Sequence, residues 1–402
     1  PAAVARACGK KTPPPPTPMA DVAAPAAAAM DRLRAASPVE VAVATVLLTT
    51  LGWLFLSLRK KARYDMDKMP GPWKGSLPWL GNLFDLVTPD FHRVFLGWSD
   101  KYGGILRFSF AGNDAVLVTD PQALGVIMGR GDHALDKAAI SYKPINFMCD
   151  PHRSPNLLTS PADDAWKVIR KAVAVSFSFQ NIKRKFPTVL DRINVLTARL
   201  AALGPDASVD VDQAALRVTL DVIGLAGFGH DFESVNQDTP AYDHLLRVLP
   251  RCFTEVMLRV ANPLRAAFPR WFKNGPKGEI AFKMFQKEMG MLLNQMKERG
   301  PPDDDDHDIA AQLYRVMAEH PEVSEARVLS EIGILFVEGF ETTGHTTSWT
   351  LFNIATHPEA QHRIAEELDS LGLLWKAGSP PPRELELDDL KRLPFLSACT
   401  KE

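Results

Sequence analysis

Glu341 and Thr342 stand side by side in the run Glu338-Gly339-Phe340-Glu341-Thr342-Thr343, inside a mostly apolar stretch whose periodicity predicts one long helix from Glu325 to Thr356. A carboxylic acid beside a hydroxyl is a pairing that holds and passes protons, and a helix interior otherwise favours neither group. Bulky residues on both sides, from Ile332 to Val337 and from Trp349 to Phe352, are expected to bury the segment. Thr342, Thr343, Thr346 and Thr347 can bond back to carbonyls one turn earlier and bend it. The competing reading is a Thr-rich core helix whose Glu341 faces solvent. A second pair lies upstream: Trp166 and Arg170 are one helical turn apart and share a face. An indole N–H and a guanidinium side by side suit a carboxylate, and the plainer alternative is a surface Trp covered by the Arg stem.

The elements that must position these groups come from a chain of 402 residues, 46% hydrophobic, with a formal net charge of -2. That length supports a substantial core, and the charge balance shows no sign of a nucleic-acid partner. Cys8, Cys149, Cys252 and Cys399 are far apart, with no C-x-x-C pair, so neither a disulfide framework nor a zinc site is suggested and a reducing, cytosol-facing setting fits. Asp303 to Asp306 reads as a solvated loop. His357 and His362 miss the helical spacing of a zinc motif, and no phosphate-binding loop or nucleophile elbow is present.

Four segments are predicted. Residues 1–38 are Ala- and Pro-rich and cannot bury a core, which reads as a disordered leader. Residues 39–58 are expected to form a transmembrane anchor: the 18 residues Val41 to Leu58 carry no charge. As a helix they would span about 27 Å, close to the hydrocarbon core of a bilayer. Arg59, Lys60, Lys61 and Arg63 follow and would hold that end in the cytoplasm. A delivery signal and an organellar transit peptide are the competing readings. Residues 59–82 form a basic, Pro-rich linker in which Met69-Pro70-Gly71-Pro72 stops any helix leaving the membrane.

Residues 83–402 form the main domain, mainly α with a small antiparallel sheet. Phe91 to Tyr102 reads as an amphipathic helix, and Ile105 to Phe110 and Ala115 to Val118 as strands joined by the turn Gly112-Asn113-Asp114. Helices are then expected at 122–128, 165–177, 186–203, 214–227, 242–260, 278–299, 309–320, 325–356 and 358–371.

In sequence order, Pro70-Gly71-Pro72, the Trp166/Arg170 helix, Asp221-Val222-Ile223-Gly224 leading to Phe228-Gly229-His230-Asp231-Phe232, Gly339-Phe340-Glu341-Thr342-Thr343, His357-Pro358-Glu359, and Leu393-Pro394-Phe395-Leu396 running to Glu402 resemble the cytochrome P450 haem-thiolate monooxygenases of the membrane-anchored eukaryotic type. The resemblance covers about Pro70 to Glu402 and implies a P450-like fold carrying haem. It implies that Trp166 and Arg170 hold a haem propionate, that Gly339 lets the central helix pass close over the haem, and that Glu341 and Thr342 are the acid–alcohol pair on the oxygen-binding side.

The activity it implies is insertion of one oxygen atom from O2 into a lipophilic substrate, with electrons ultimately from NADPH through a reductase partner. It also implies contact with membrane lipid, at the endoplasmic reticulum with the domain in the cytosol, or alternatively in a plastid. Phe147 and its neighbours in 133–160, and the segment 260–271, are expected by family analogy to shape the substrate pocket. Two departures stand out: Glu338 replaces the usual Ala or Gly, and no cysteine here has the context of the iron ligand. Glu402 corresponds to the first residue of the family's E-x-x-R motif, so the axial cysteine is expected beyond Glu402 and the chain by itself to be a partial, inactive haem-monooxygenase domain. A haem-thiolate isomerase or dehydratase, whose members often lack the acid–alcohol pair, and a non-catalytic membrane-bound interaction protein are the alternatives.

Overall fold

The structure is a computed structural model and describes residues 45–46, 49–50, 52 and 66–402, apart from 78–79, 89, 111–112, 130–136, 138, 205, 237–239, 377–378 and 381. The expected leader at 1–38 and most of the expected anchor at 39–58 lie outside the described residues, and no described helix is long and apolar enough to cross a membrane. Contacts divide the chain into two units, one up to Ala134 and one from Leu135.

The first unit runs through α1 (Leu83–Leu86), α2 (Phe91–Tyr102), β1 (Ile105–Phe110), β2 (Asn113–Val118) and α3 (Pro121–Ile127). β1 and β2 pair antiparallel, from Ile105 opposite Val118 to Phe110 opposite Asn113. The ladder thus takes in Asn113 and Asp114, which the sequence places in the turn. Asp114 is drawn into the strand by an ion pair to Arg107 at 3.1 Å across the hairpin. Phe95 and Trp98 seat α2 on β1 by packing against Phe108, with ring centres 5.5 and 5.7 Å away. The Pro70-Gly71-Pro72 segment, within the expected basic and Pro-rich linker, is pinned to the sheet. The Arg107 N–H donates to the Pro70 carbonyl at 2.8 Å. Gly71, at φ 146°, comes so close to β1 that a Cβ there would collide with the Arg107 carbonyl.

The second unit is helical: α4 (Ala139–Cys149), α5 (Asp164–Ser176), α6 (Phe179–Leu203), α7 (Val211–Ile223), α8 (Pro240–Ala261), α9 (Pro263–Ala267), α10 (Gly275–Arg299), α11 (Ile309–Glu319), α12 (Glu325–Thr356), α13 (Pro358–Ser370) and α14 (Pro394–Lys401). A π-helical turn, Gly224–Phe228, closes α7. Asp163, Ser178, Asp210, Asp308 and Ser324 each accept a hydrogen bond from the N–H three residues on, which starts α5, α6, α7, α11 and α12. Two of the departures from expectation share one reason. α6 begins seven residues before its predicted start, capped by Ser178 with Pro187 inside, and α4 was not foreseen and contains Pro144. Proline inside a helix costs about 3 kcal/mol, and burial of neighbours such as Met148 and Cys149 offsets it.

α12 is the central element. Phe336, fully buried, touches the rings of Phe228, Phe232, Phe285 and Phe340 at centroid distances from 5.4 to 6.4 Å. α7 lies along α12 at close range, because Gly339 and Gly344 present no side chains to Ile223 and Leu216. The Thr219 hydroxyl donates to the Phe340 carbonyl at 2.9 Å. The expected burial holds only for the first half of α12. Beyond Phe340 most side chains are exposed, including Trp349 and Phe352, since the helices packed on α12 cover mainly its N-terminal half and the side facing α7.

Candidate active site

The site begins with a buried lock between α12 and the turn that precedes α5. Glu331, on the second turn of α12, is fully buried; its Oε1 accepts from Arg327 Nε at 2.7 Å and its Oε2 from the Leu157 N–H at 2.8 Å. Ser330 donates to the Ser154 carbonyl and accepts from the Asn156 amide, whose oxygen in turn caps the N–H groups of Leu158 and Thr159. Burial pushes the Glu331 carboxyl above the ordinary carboxylate range, with Arg327 and the Leu157 N–H pulling the other way. The lock sets the Leu157 carbonyl, which accepts from the Trp166 indole N–H at 2.9 Å and from Lys137 Nζ. Trp166 is thereby oriented, and Arg170 and Lys137 lie over its ring at 5.3 and 5.2 Å.

These parts border a cavity of about 650 Å3, a typical ligand-pocket size. Leu158, Val173, Phe177, Ile334 and Leu335 make its apolar walls, and Lys137, Arg170 and Glu338 its polar points. Arg170 has no acidic partner among the described residues. The indole N–H that the sequence offers to an external carboxylate is taken by Leu157, so the guanidinium is what this pair presents to the cavity. Burial raises the Glu338 carboxyl, opposed by Lys137.

Thr342 stands one turn past Glu338 on the same helix face, exposed, with its hydroxyl donating to the Glu338 carbonyl at 2.7 Å. Thr346 and Thr347 bond back in the same way, as the sequence suggests. Glu341 is three residues from Glu338, and its side chain is 17% exposed. Burial raises its carboxyl, His345 lowers it, and Asp212 adds to the rise. Gly339 faces α7. It is absent from the cavity wall, and a Cβ there would lie 2.6 Å from Ile223 of α7, so helix-to-helix packing accounts for its lack of a side chain. Phe147 likewise lies beneath Arg153 and Arg259, at 4.1 and 4.5 Å, rather than in the cavity wall, and no residue of 260–271 lines the cavity. From the 133–160 stretch, Lys137, Leu157 and Leu158 do.

The cytochrome P450 family profile matches residues 70–402. The chain belongs to the cytochrome P450 family. Among similar proteins, a cytochrome P450 monooxygenase 205 of Postia placenta is 24% identical over 85% of this chain and 64% of its own length. Cytochrome P450 2J1 of Oryctolagus cuniculus is 24% identical, covering 93% of this chain and 73% of its own. A self-sufficient cytochrome P450 monooxygenase of Oidiodendron maius is 25% identical over 85% of this chain and 30% of its own. The chain spans 64% and 66% of the length of two of the fungal P450 relatives it matches.

Membership of the P450 family implies a haem-iron cofactor. The residues around the cavity fit such a group: apolar walls suit a flat macrocycle, and a guanidinium with no acidic partner among the described residues suits its carboxylates. Of the described cysteines, Cys149 and Cys252 are buried in the core, Cys399 lies on α14, and none lines the cavity. Glu331 and Lys137 were not singled out from the sequence. Arg327 and Glu331 do form a visible i, i+4 pair, yet nothing in their spacing marks it as buried.

Proposed function

We propose that the chain is the greater part of a haem-dependent monooxygenase that inserts one oxygen atom from O2 into a lipophilic substrate, taking electrons from NADPH through a reductase. The observation that carries this is the placement of an acid–alcohol pair, itself outside the cavity wall, on the same stripe of α12 as Glu338, which borders the cavity that Arg170 also lines. Haem, when bound, supplies the oxygen-activating redox chemistry. Arg170 and Lys137 would hold its carboxylates, Trp166 would orient Arg170, and Ile334 and Leu335 would pack on its face. Proton traffic falls to Glu341 and Thr342: a partly buried carboxyl whose pKa burial raises is a proton store, and the neighbouring hydroxyl positions a water to receive from it. The same pair argues against a haem-thiolate isomerase or dehydratase, whose members often lack it.

The thiolate ligand is assigned to none of the described cysteines. The charge-free segment 41–58 and the basic cluster after it support a membrane-anchored protein with this domain in the cytosol, at the endoplasmic reticulum. The test is Thr342→Ala in the haem-loaded enzyme with its reductase. Electron consumption should continue while product falls and hydrogen peroxide rises; a product-to-NADPH ratio equal to that of the parent enzyme refutes the assignment.

A further inference from the structure

Glu341 has a neighbour that the acid–alcohol pair alone does not require. Positions 338, 341, 342 and 345 share one stripe of α12, so His345 stands one turn beyond Glu341 and on its side of the helix. His345 Nε2 lies 3.9 Å from Glu341 Oε1, one small rotation or one bridging water from a hydrogen bond. On its other side, His345 Nδ1 lies 2.8 Å from Oδ1 of Asp212, in the first turn of α7. A carboxylate only accepts, so Nδ1 carries the proton and Nε2 is the nitrogen free to exchange with Glu341. Exposure is graded along this line: the Glu341 side chain is 17% exposed, while those of His345 and Asp212 are 47% and 44%. A partly buried acid, a half-exposed imidazole and a half-exposed carboxylate therefore run along this face of α12 toward bulk water.

We infer that His345, held by Asp212, is the group that reloads Glu341 with protons from solvent, acting as a positioning and relay residue between bulk water and the acid. This rests on the proton-delivery reading of Glu341 and Thr342. After Glu341 has given up its proton, imidazolium His345 transfers its Nε2 proton to a Glu341 oxygen: the N–H bond breaks, an O–H bond forms, and the negative charge on the acid and the positive charge on the ring both vanish. The neutral ring regains a proton at Nε2 from bulk water, while the Asp212 carboxylate keeps Nδ1–H in place. The charged and titratable groups facing this pair are few. Among the described residues they are Asp212 from α7 and the buried Cys252 thiol from α8, which Glu341 helps push up, with Glu338 one turn back on α12 itself.

The experiment compares Glu341→Gln and His345→Gln with the parent in the haem-loaded enzyme, by two readouts. One is the infrared titration of the Glu341 carboxyl, assigned as the band lost in Glu341→Gln. The other is the fraction of electrons lost to hydrogen peroxide. In His345→Gln the Glu341 band should persist to higher pH, because the cation that favours its ionised form is gone, and the peroxide fraction should rise as it does in Glu341→Gln. Parent-like coupling in His345→Gln, with Glu341→Gln uncoupled, overturns the relay and leaves the proton-delivery reading standing, whether or not the band shifts. Parent-like coupling in Glu341→Gln overturns the reading underneath it.

Discussion

Replacing Glu331 with Gln tests the lock that sets the cavity wall. The side chain is fully buried and spends its two oxygens on two donors, Arg327 Nε at 2.7 Å and the Leu157 N–H at 2.8 Å. A glutamine there has one acceptor and one donor, so one of those N–H groups meets another N–H. Arg327, only 7% exposed, loses its counter-charge. Breaking a buried ion pair by removing one partner costs about 3–5 kcal/mol. A buried donor left unmet costs about 1–3 kcal/mol by itself, so the two effects overlap in one expected loss of about 4 kcal/mol. Against a total stability of about 5–15 kcal/mol that is a large fraction.

Urea unfolding followed by far-ultraviolet circular dichroism at neutral pH would read it as a lowered midpoint of the helical unit. The double variant Arg327→Met with Glu331→Leu should recover the part of the loss that comes from the stranded charge, leaving the Leu157 N–H unmet, since an apolar pair of similar volume leaves no charge behind. A loss below about 1 kcal/mol for Glu331→Gln would show that the carboxyl is already neutral in the folded protein and that Arg327 gains nothing from it, refuting the argument. A double variant no better than the single one would refute it as well.

Phe336→Ala, at the centre of five packed rings, should cost about 3–5 kcal/mol by the same measurement, and a loss under about 1 kcal/mol would mean that the site collapses around the gap. Asp389 offers a test by acid. Its carboxylate takes two hydrogen bonds from Arg383 and one from the Glu386 N–H, and these hold its pKa down to about 2. A carboxyl depressed on folding contributes stability above its unfolded value and loses it as the pH falls, here between about 4 and the folded value. The stabilities of the parent and Asp389→Asn should therefore differ at neutral pH and converge on acidification through that window; a gap that stays constant below pH 4 would count against the pairing.

Much of this protein can be read along the chain. The limits of α12, from Glu325 to Thr356, and of α2 and β1 follow from periodicity, caps and turn residues, because those signals act within a few residues of where they appear. The pairing of Glu341 with Thr342, and of Trp166 with Arg170, is equally local, as residues one turn apart or adjacent must share a helix. The family follows from the order of such motifs. Other features needed the folded chain. The presence of α4 around Pro144 and the early start of α6 depend on packing that outweighs a local penalty. Which face of α12 is covered depends on where α7 lies, and that contact turns Gly339 toward Ile223.

Glu331 holds Leu157 across 174 residues of sequence, and His345 meets Asp212 across 133. No local pattern encodes either meeting, since each is made only when two distant helices or turns arrive side by side. The sequence by itself thus determined which groups can do chemistry and which helix carries them. The tertiary structure decided which of those groups are dry, which are already spoken for, as the Trp166 indole is, and which have a route to water. Burial and long-range hydrogen bonds, which set both the charge state of an acid and the direction of its proton, exist only in the assembled core.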